Sequence, residues 1–313
     1  MPGVPVPAIC IETRDNVTQM KRIGFWLFKG WAFMVSITPF PLLYLRSSCY
    51  FLLLYHLLRY RRKVVRDNLL KSFPEKSSKE IKRIERRFYR NLCDLGVEIV
   101  KLMTVKPDTL AQRVRFVNPE LIRELYDKQR SYFAAIPHSG NWEWYGKLMH
   151  RVSDHKASAI YKKLSNPDFD AFINRLRRNF NQDQEQMIEA QTALKTLVRR
   201  KDLVNAILLV GDQSPRGVAS DYWTDFLHRD TCWFYGLEKM ARLLDYAVVF
   251  VEMTRVRRGR YEVRFHLICE DPKTMEEGAI MEQYVRHIER FIQDQPDNWL
   301  WSHRRWKHSR QVA

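Results

Sequence analysis

Apolar and aromatic residues crowd the beginning of the chain. Residues 23–58 read IGFWLFKGWAFMVSITPFPLLYLRSSCYFLLLYHLL, interrupted by Lys29 and Arg46. The uncharged stretch between those two cations has 16 residues (30–45) and carries Pro39 and Pro41. A comfortable helical span needs roughly 20 apolar residues, so a straight single crossing is marginal. A tilted span, a shallow helical hairpin or an in-plane helix all fit, and so does a buried helix pair. A cleaved signal peptide does not fit, because mixed charges precede the apolar run and no clean small-x-small site follows it.

Beyond residue 75 the pattern changes. Ser77-Ser78-Lys79-Glu80 has the form of a capping box. Ile81, Ile84, Phe88, Leu92, Leu95, Ile99 and Leu102 then recur every three or four positions, which predicts an amphipathic helix of about 25 residues. From 131 onward short apolar runs at 131–137, 156–161, 204–210, 246–252 and 261–269 read as strands. Helical stretches at 142–153, 167–180, 188–200, 232–244 and 278–295 separate most of them. Strand–helix alternation predicts an α/β fold with a single mixed, mostly parallel sheet flanked by helices. The last two strands, joined by the short basic turn Arg257-Arg258-Gly259-Arg260, are expected to form an antiparallel hairpin. The resulting organisation is an N-terminal extension over 1–22, a hydrophobic helical membrane anchor over 23–60 and an α/β domain over 61–313.

Charge sharpens the picture of the first segment. Of the 313 residues, 53 are Lys or Arg and 36 Asp or Glu, a net charge of +17. Such a surplus favours anionic partners. Residues 59–90 are densely basic, including Arg59, Arg61, Arg62, Lys63 and Arg66. A basic cluster beside an apolar anchor is drawn to an anionic membrane surface, and the positive-inside tendency puts the body of the protein on the cytoplasmic side. The five cysteines are widely spaced without a C-x-x-C pair, which argues against a disulfide framework or structural zinc.

Candidate chemistry lies at the predicted strand ends, where open α/β sheets hold ligands. His138-Ser139-Gly140-Asn141-Trp142-Glu143 follows the first strong strand. Asn141 suits a helix cap, and Glu143 falls in the first helical turn, where the helix dipole favours a carboxylate. A carboxylate on one imidazole nitrogen leaves the other as a proton acceptor, the arrangement of a general base acting on an alcohol. Spacing alone equally describes a loop histidine beside a capping glutamate. A second polar junction, Gly211-Asp212-Gln213-Ser214-Pro215-Arg216-Gly217, and a third, Tyr161-Lys162-Lys163-Leu164-Ser165-Asn166-Pro167, also follow strands. The lysines there suit a phosphate or a developing oxyanion. Near the end, Asn298-Trp299-Leu300-Trp301-Ser302-His303-Arg304-Arg305-Trp306-Lys307 interleaves aromatic and basic residues, a composition suited to a lipid interface or a nucleic-acid strand. No H-E-x-x-H, P-loop or dinucleotide fingerprint occurs, so cofactor-free group transfer is the expectation.

Taken in order, H-S-G-N-W-E, Y-K-K-L-S-N-P, G-D-Q-S-P-R-G and W-L-W-S-H-R-R-W-K resemble the late acyltransferases of lipid A assembly, the lauroyl and myristoyl transferases. NLLKSFPE at 68–75 resembles a stretch near the start of that family, and Phe226-Leu227-His228-Arg229-Asp230-Thr231 stands where it carries F-x-G-x-x-x-T. The resemblance runs from about residue 25 to 308. It implies a protein anchored by its N-terminal segment at the cytoplasmic face of the bacterial inner membrane. It also implies acyl carrier protein as donor, a hydroxyl of a lipid A precursor as acceptor, no cofactor and no nucleic acid. The family's H-x-x-x-x-D/E pair maps to His138, which would deprotonate the acceptor hydroxyl, and Glu143, which would orient it. The substrate-binding residues expected are Asn141, Lys162, Asp212, Gln213, Arg216, His303, Arg304 and Arg305. Lys162 stands where the family usually has Arg and lacks its bidentate geometry, and Leu227-His228 replaces the usual Phe-Gly. These departures leave open another lipid acceptor (a lysophospholipid, glycerolipid or aminolipid). A non-catalytic basic membrane or nucleic-acid binding protein is the reading from a different class.

Overall fold

The computed structural model describes residues 9–178, 186–215 and 222–310. The N-terminal half runs α1 (Ile9–Ser36), α2 (Phe40–Phe51), a π-helical turn (Leu52–Leu57), α3 (Arg62–Ser72), α4 (Ser78–Lys101), α5 (Pro107–Ala111), β1 (Val114–Phe116), α6 (Glu120–Asp127), β2 (Tyr132–Ile136) and α7 (Trp142–Leu148). The remainder runs β3 (Lys156–Tyr161), α8 (Pro167–Arg177), β4 (Gln186–Glu189), α9 (Ala193–Arg199), β5 (Asn205–Val210), β6 (Tyr222–Asp225), β7 (Asp230–Trp233), α10 (Gly236–Leu244), β8 (Ala247–Arg257), β9 (Arg260–Cys269) and α11 (Ala279–Asp294).

Seven strands form one sheet in the order β1-β9-β8-β2-β5-β3-β4. Every neighbouring pair is parallel except β8 with β9, the expected hairpin. The α/β class with its mixed, mostly parallel sheet is therefore as the alternation predicted. All five residues of β2 are buried, as a central parallel strand covered on both faces requires. Its side chains alternate between two cores. Phe133 and Ala135 meet Phe88, Trp233, Val285 and Ile288 on one face. Tyr132, Ala134 and Ile136 meet Val97, Trp144, Leu148 and Val249 on the other.

The long amphipathic helix is α4, and its start is the capping box read from the sequence. Glu80 Oε2 accepts from the Ser77 backbone N–H at 2.9 Å, and the Glu80 N–H donates back to Ser77 Oγ at 3.4 Å. Two predicted helices give up their first residues to strands. Residues 186–189 are strand β4 and 230–233 are strand β7, which pairs with β6 in a separate two-stranded sheet. Short apolar runs next to a helix carry no period of their own, so the boundaries shift. β1, of three residues, is likewise too short to show alternation.

The N-terminal apolar segment folds as two helices that part at Pro39, the residue before α2. Pro disfavours the helical conformation in the residue before it and offers no N–H. One flank is buried on the domain through Ala32, Val35, Leu43, Phe51 and Tyr55. The opposite flank leaves Trp26, Leu27, Met34, Leu42, Leu45, Leu57 and Leu58 exposed. Among the described residues no helix is long and apolar enough to cross a membrane. Helix α1 also runs through position 22, where the extension was expected to give way to the anchor.

Candidate active site

The parallel register of β2 and β5 builds the centre. Ile136 lies opposite Val210, so the residues two places further on, His138 and Asp212, emerge side by side from the same edge of the sheet. The His138 backbone N–H donates to Asp212 Oδ2 at 2.9 Å, and His138 Nδ1 lies 2.5 Å from Asp212 Oδ1. Trp299 Nε1 donates to Asp212 Oδ2 at 2.7 Å. An ionised carboxylate can only accept, so Nδ1 carries the ring proton and Nε2 keeps its lone pair. The amide nitrogen of Gln213 approaches that lone pair at 3.2 Å. Burial works against the charge on Asp212, but the His138 ring and backbone and the Trp299 indole outweigh it and hold the carboxyl below its ordinary value.

The carboxylate on the imidazole is thus Asp212, not Glu143 as the sequence reading had it. Glu143 sits in the first turn of α7, where Arg177 of α8 takes it in a fork: Arg177 Nη2 at 2.6 Å from Oε1 and Nε at 3.0 Å from Oε2. Trp142 Nε1 also donates to Glu143 Oε1 at 3.2 Å. A strand-end neighbour reaches the ring with its backbone already aligned. A carboxylate five positions along the chain must turn back from a helix, and here a guanidinium occupies it.

The loop itself is pinned from two sides. Gly140 adopts φ +57, and a Cβ there would come within 2.5 Å of the Met253 carbonyl oxygen, so only glycine fits. The Gly140 N–H donates to the Asn298 carbonyl at 3.2 Å, and the Leu300 N–H donates to the His138 carbonyl at 3.1 Å. The C-terminal segment therefore lies along the His138 loop like a short added strand. On the other side Asn141 caps α7, accepting from the Trp144 N–H at 3.1 Å, and donates to Glu98 Oε2 at 2.8 Å. Glu98 is fully buried and also accepts from Tyr44 Oη at 2.8 Å and Tyr261 Oη at 2.7 Å. Its burial raises its pKa, against those hydrogen bonds and the nearby Arg255.

The other residues expected in the site fall in different places. Asn141 is completely buried and its polar atoms are engaged within the protein, so it supports the loop from below and offers nothing to a ligand. Lys162 is exposed at the carboxyl end of β3, on the same sheet edge as His138 and Asp212. Gln213 touches the imidazole. His303 accepts from the Ser214 N–H at 3.2 Å, and burial pushes its pKa down to about 4. Arg304 is exposed. Arg305 is buried beneath the site, its guanidinium 4.3 Å above the Trp233 ring, and burial pushes its pKa down to about 10. Arg216 lies outside the described residues.

Trp299, Arg177 and Glu98 were not picked out from the sequence. Trp299 lay inside a segment already singled out, but only the fold shows that its indole meets Asp212. Nothing local marks Arg177 or Glu98. Their partners are 34 and 43 positions away in the chain.

A narrow recess opens beside His138, lined by Phe88, Leu92, Leu95, Trp142, Arg255 and Trp299 among others, with a volume of about 20 Å³. Among the described residues no group of three or more His, Cys, Asp or Glu could hold a metal ion. What stands at the sheet edge is a buried carboxylate, an oriented imidazole and an Nε2 lone pair met by Gln213 beside a largely apolar recess, the parts a general base needs.

A search among curated proteins gave no match. A family model, that of the bacterial lipid A biosynthesis acyltransferases, matches residues 12–308. The match spans nearly the whole chain and includes every segment that builds the site, so the chain belongs to the bacterial lipid A biosynthesis acyltransferase family.

Proposed function

We propose that the protein moves a fatty acyl group from acyl carrier protein to a hydroxyl of a lipid A precursor, forming an ester at the cytoplasmic face of the bacterial inner membrane. His138 Nε2 takes the hydroxyl proton, and the freed oxygen attacks the thioester carbonyl. The C–S bond breaks as the C–O bond forms. The imidazolium then returns its proton to the departing thiolate, so the products are an ester and a thiol. Asp212 fixes the tautomer and stabilises the transient imidazolium. Gln213, which meets Nε2 in the resting arrangement, yields that place to the acceptor hydroxyl. Glu143 acts at one remove, by holding Arg177 and the first turn of α7.

The observation that carries this reading is the His138–Asp212 contact of 2.5 Å with Nε2 left as an acceptor. The exposed apolar flank of α1 and α2, next to a basic α3, supports a membrane surface as the place of action. The test is acyl transfer by purified protein, from acyl carrier protein to a lipid A precursor in mixed micelles. His138→Ala and Asp212→Asn should each lower kcat by roughly 10²–10⁴ while the protein stays folded and membrane-bound. Normal turnover by His138→Ala sinks the mechanism. A normal lipid A profile in cells lacking the protein sinks the acceptor.

A further inference from the structure

The basic turn at 257–260 plays no part in the mechanism above, yet two of its arginines, Arg257 and Arg258, line clefts that adjoin the recess at His138. The recess at His138 shares Asn91 and Arg255 with two wider clefts, of about 400 and 330 Å³. Arg90, Arg255 and Arg258 line the first together with Phe51 and Leu52. Arg87, Arg255, Arg257 and Arg258 line the second. We propose that these five arginines form a phosphate-recognition cleft that receives the anionic headgroup of an acylated lipid and presents that lipid to His138. The proposal rests on the reading of the site as an acyltransferase and assigns the residues that meet the acceptor's phosphate.

The cleft is built rather than incidental. Asp94, only 2% exposed in its side chain, accepts from Arg255 Nη2 at 2.5 Å and from Arg258 Nη2 at 2.7 Å. Ser47 Oγ donates to the same carboxylate at 2.5 Å. Arg255 also donates to Asn91 Oδ1, and Arg258 to the Tyr44 carbonyl at 2.9 Å and Ser48 Oγ at 3.1 Å. One carboxylate thus fixes two guanidiniums and cancels one of their charges. Arg87 and Arg257 are exposed and have no carboxylate partner among the described residues. Asp294 and Asp297 on the rim offset part of this surplus, and Asp297 is tied to Asn91 Nδ2 at 3.0 Å. With the paired edges of Arg255 and Arg258 engaged by Asp94 and Asn91, those two supply fixed positive charge, and the exposed guanidiniums of Arg87 and Arg257 offer the parallel N–H pairs that match a phosphate.

Shape and lining choose the occupant. The clefts are concave and headgroup-sized, whereas a carrier protein's acidic helix needs a broad convex or flat contact. Phe51 and Leu52 form the wall on the side of the exposed apolar helices. That combination fits an amphiphile whose phosphate meets arginine while its chains stay against the apolar surface.

The test uses the full chain and vesicles of phosphatidylcholine containing phosphatidic acid, a phosphomonoester lipid. Arg87→Ala/Arg257→Ala is compared with Arg83→Ala/Arg86→Ala, which removes the same charge from exposed α4 positions outside the cleft. The cleft pair should weaken binding at least tenfold and the control pair little. Equal weakening by both pairs, or by neither, overturns the proposal. So does full release of the protein by inorganic phosphate at the concentration of lipid phosphate, since the site would then hold a free ion. In the transfer assay the cleft variant should raise KM at least tenfold for a phosphorylated acceptor, with kcat nearly unchanged and no effect on the dephosphorylated acceptor. A rise in KM for the acyl carrier instead would make these arginines a carrier-docking surface and overturn the proposal. If the unaltered protein transfers to no hydroxyl, the proposed function fails while the vesicle comparison still decides the cleft.

Discussion

At the residue scale the centre turns on which carboxylate serves His138. Asp212 meets Nδ1 directly, and Glu143 meets Arg177. Asp212→Asn keeps the shape but lets an amide N–H face Nδ1, which drives the ring proton to Nε2 and removes its lone pair, and with it the proposed base. Glu143→Gln leaves the imidazole untouched and leaves Arg177 short of its counter-charge beside a carboxylate site only 10% exposed. Glu143→Gln is therefore expected to lower the melting temperature, by an amount matching roughly 1–3 kcal/mol, and to cost far less activity than Asp212→Asn. Parallel kcat and thermal-melt measurements on the two variants check this ordering. An inactive Glu143→Gln protein with unchanged stability would return the orienting role to Glu143.

At the element scale the N-terminal helices divide their labour by face. Val35, Leu43 and Phe51 lie inward, while Leu57 and Leu58 point outward at 73% and 61% exposure. A flank so apolar beside cationic helices suits an in-plane seat on an anionic membrane. Replacing Leu57 and Leu58 with Asn should weaken vesicle binding by about 1.5–3 kcal/mol per leucine that inserts, without lowering the melting temperature, because neither side chain serves the core. Co-sedimentation with anionic vesicles and a thermal melt separate these outcomes. The cap of α4 belongs to the same scale. Ser77→Ala removes a reciprocal pair of hydrogen bonds and should cost about 1 kcal/mol, read as a shift in the denaturant midpoint.

At the scale of the whole molecule, acid stability follows from histidines that folding keeps neutral. Burial depresses His303 and His287 from 6.5 to about 4, and for His287 the neighbouring His266 and Arg290 add to it while Glu252 opposes. In the unfolded chain both rings take a proton near 6.5, whereas in the folded chain they wait until about 4. Falling pH between those values therefore favours unfolding, with a slope of at most about 1.4 kcal/mol per pH unit for each group. His287→Gln, remote from the His138 loop, should lose less stability than the unaltered protein between pH 7 and pH 5. Denaturant midpoints at the two pH values measure the difference, and equal losses would exclude His287 as a source.

The chain's own pattern determined the sheet-and-helix alternation, the α4 cap, the final hairpin and the placing of polar clusters at strand ends. Those features are local: a period, a cap or a turn is set by residues within a few positions of each other. It also named His138 and Asp212, but in unlinked roles. What joined them was the parallel register of β2 against β5, which brings together residues 74 positions apart. The same holds for Trp299 on Asp212, for Glu98 under Asn141 and for Arg255 and Arg258 on Asp94 of α4. No periodicity encodes such pairings, because strand order and helix packing are settled by how apolar faces find partners across the whole chain. Glu143 shows the limit most plainly. Its spacing from His138 suggested a hydrogen bond, and only the packing of α8 beside α7 decided that the carboxylate would meet an arginine instead.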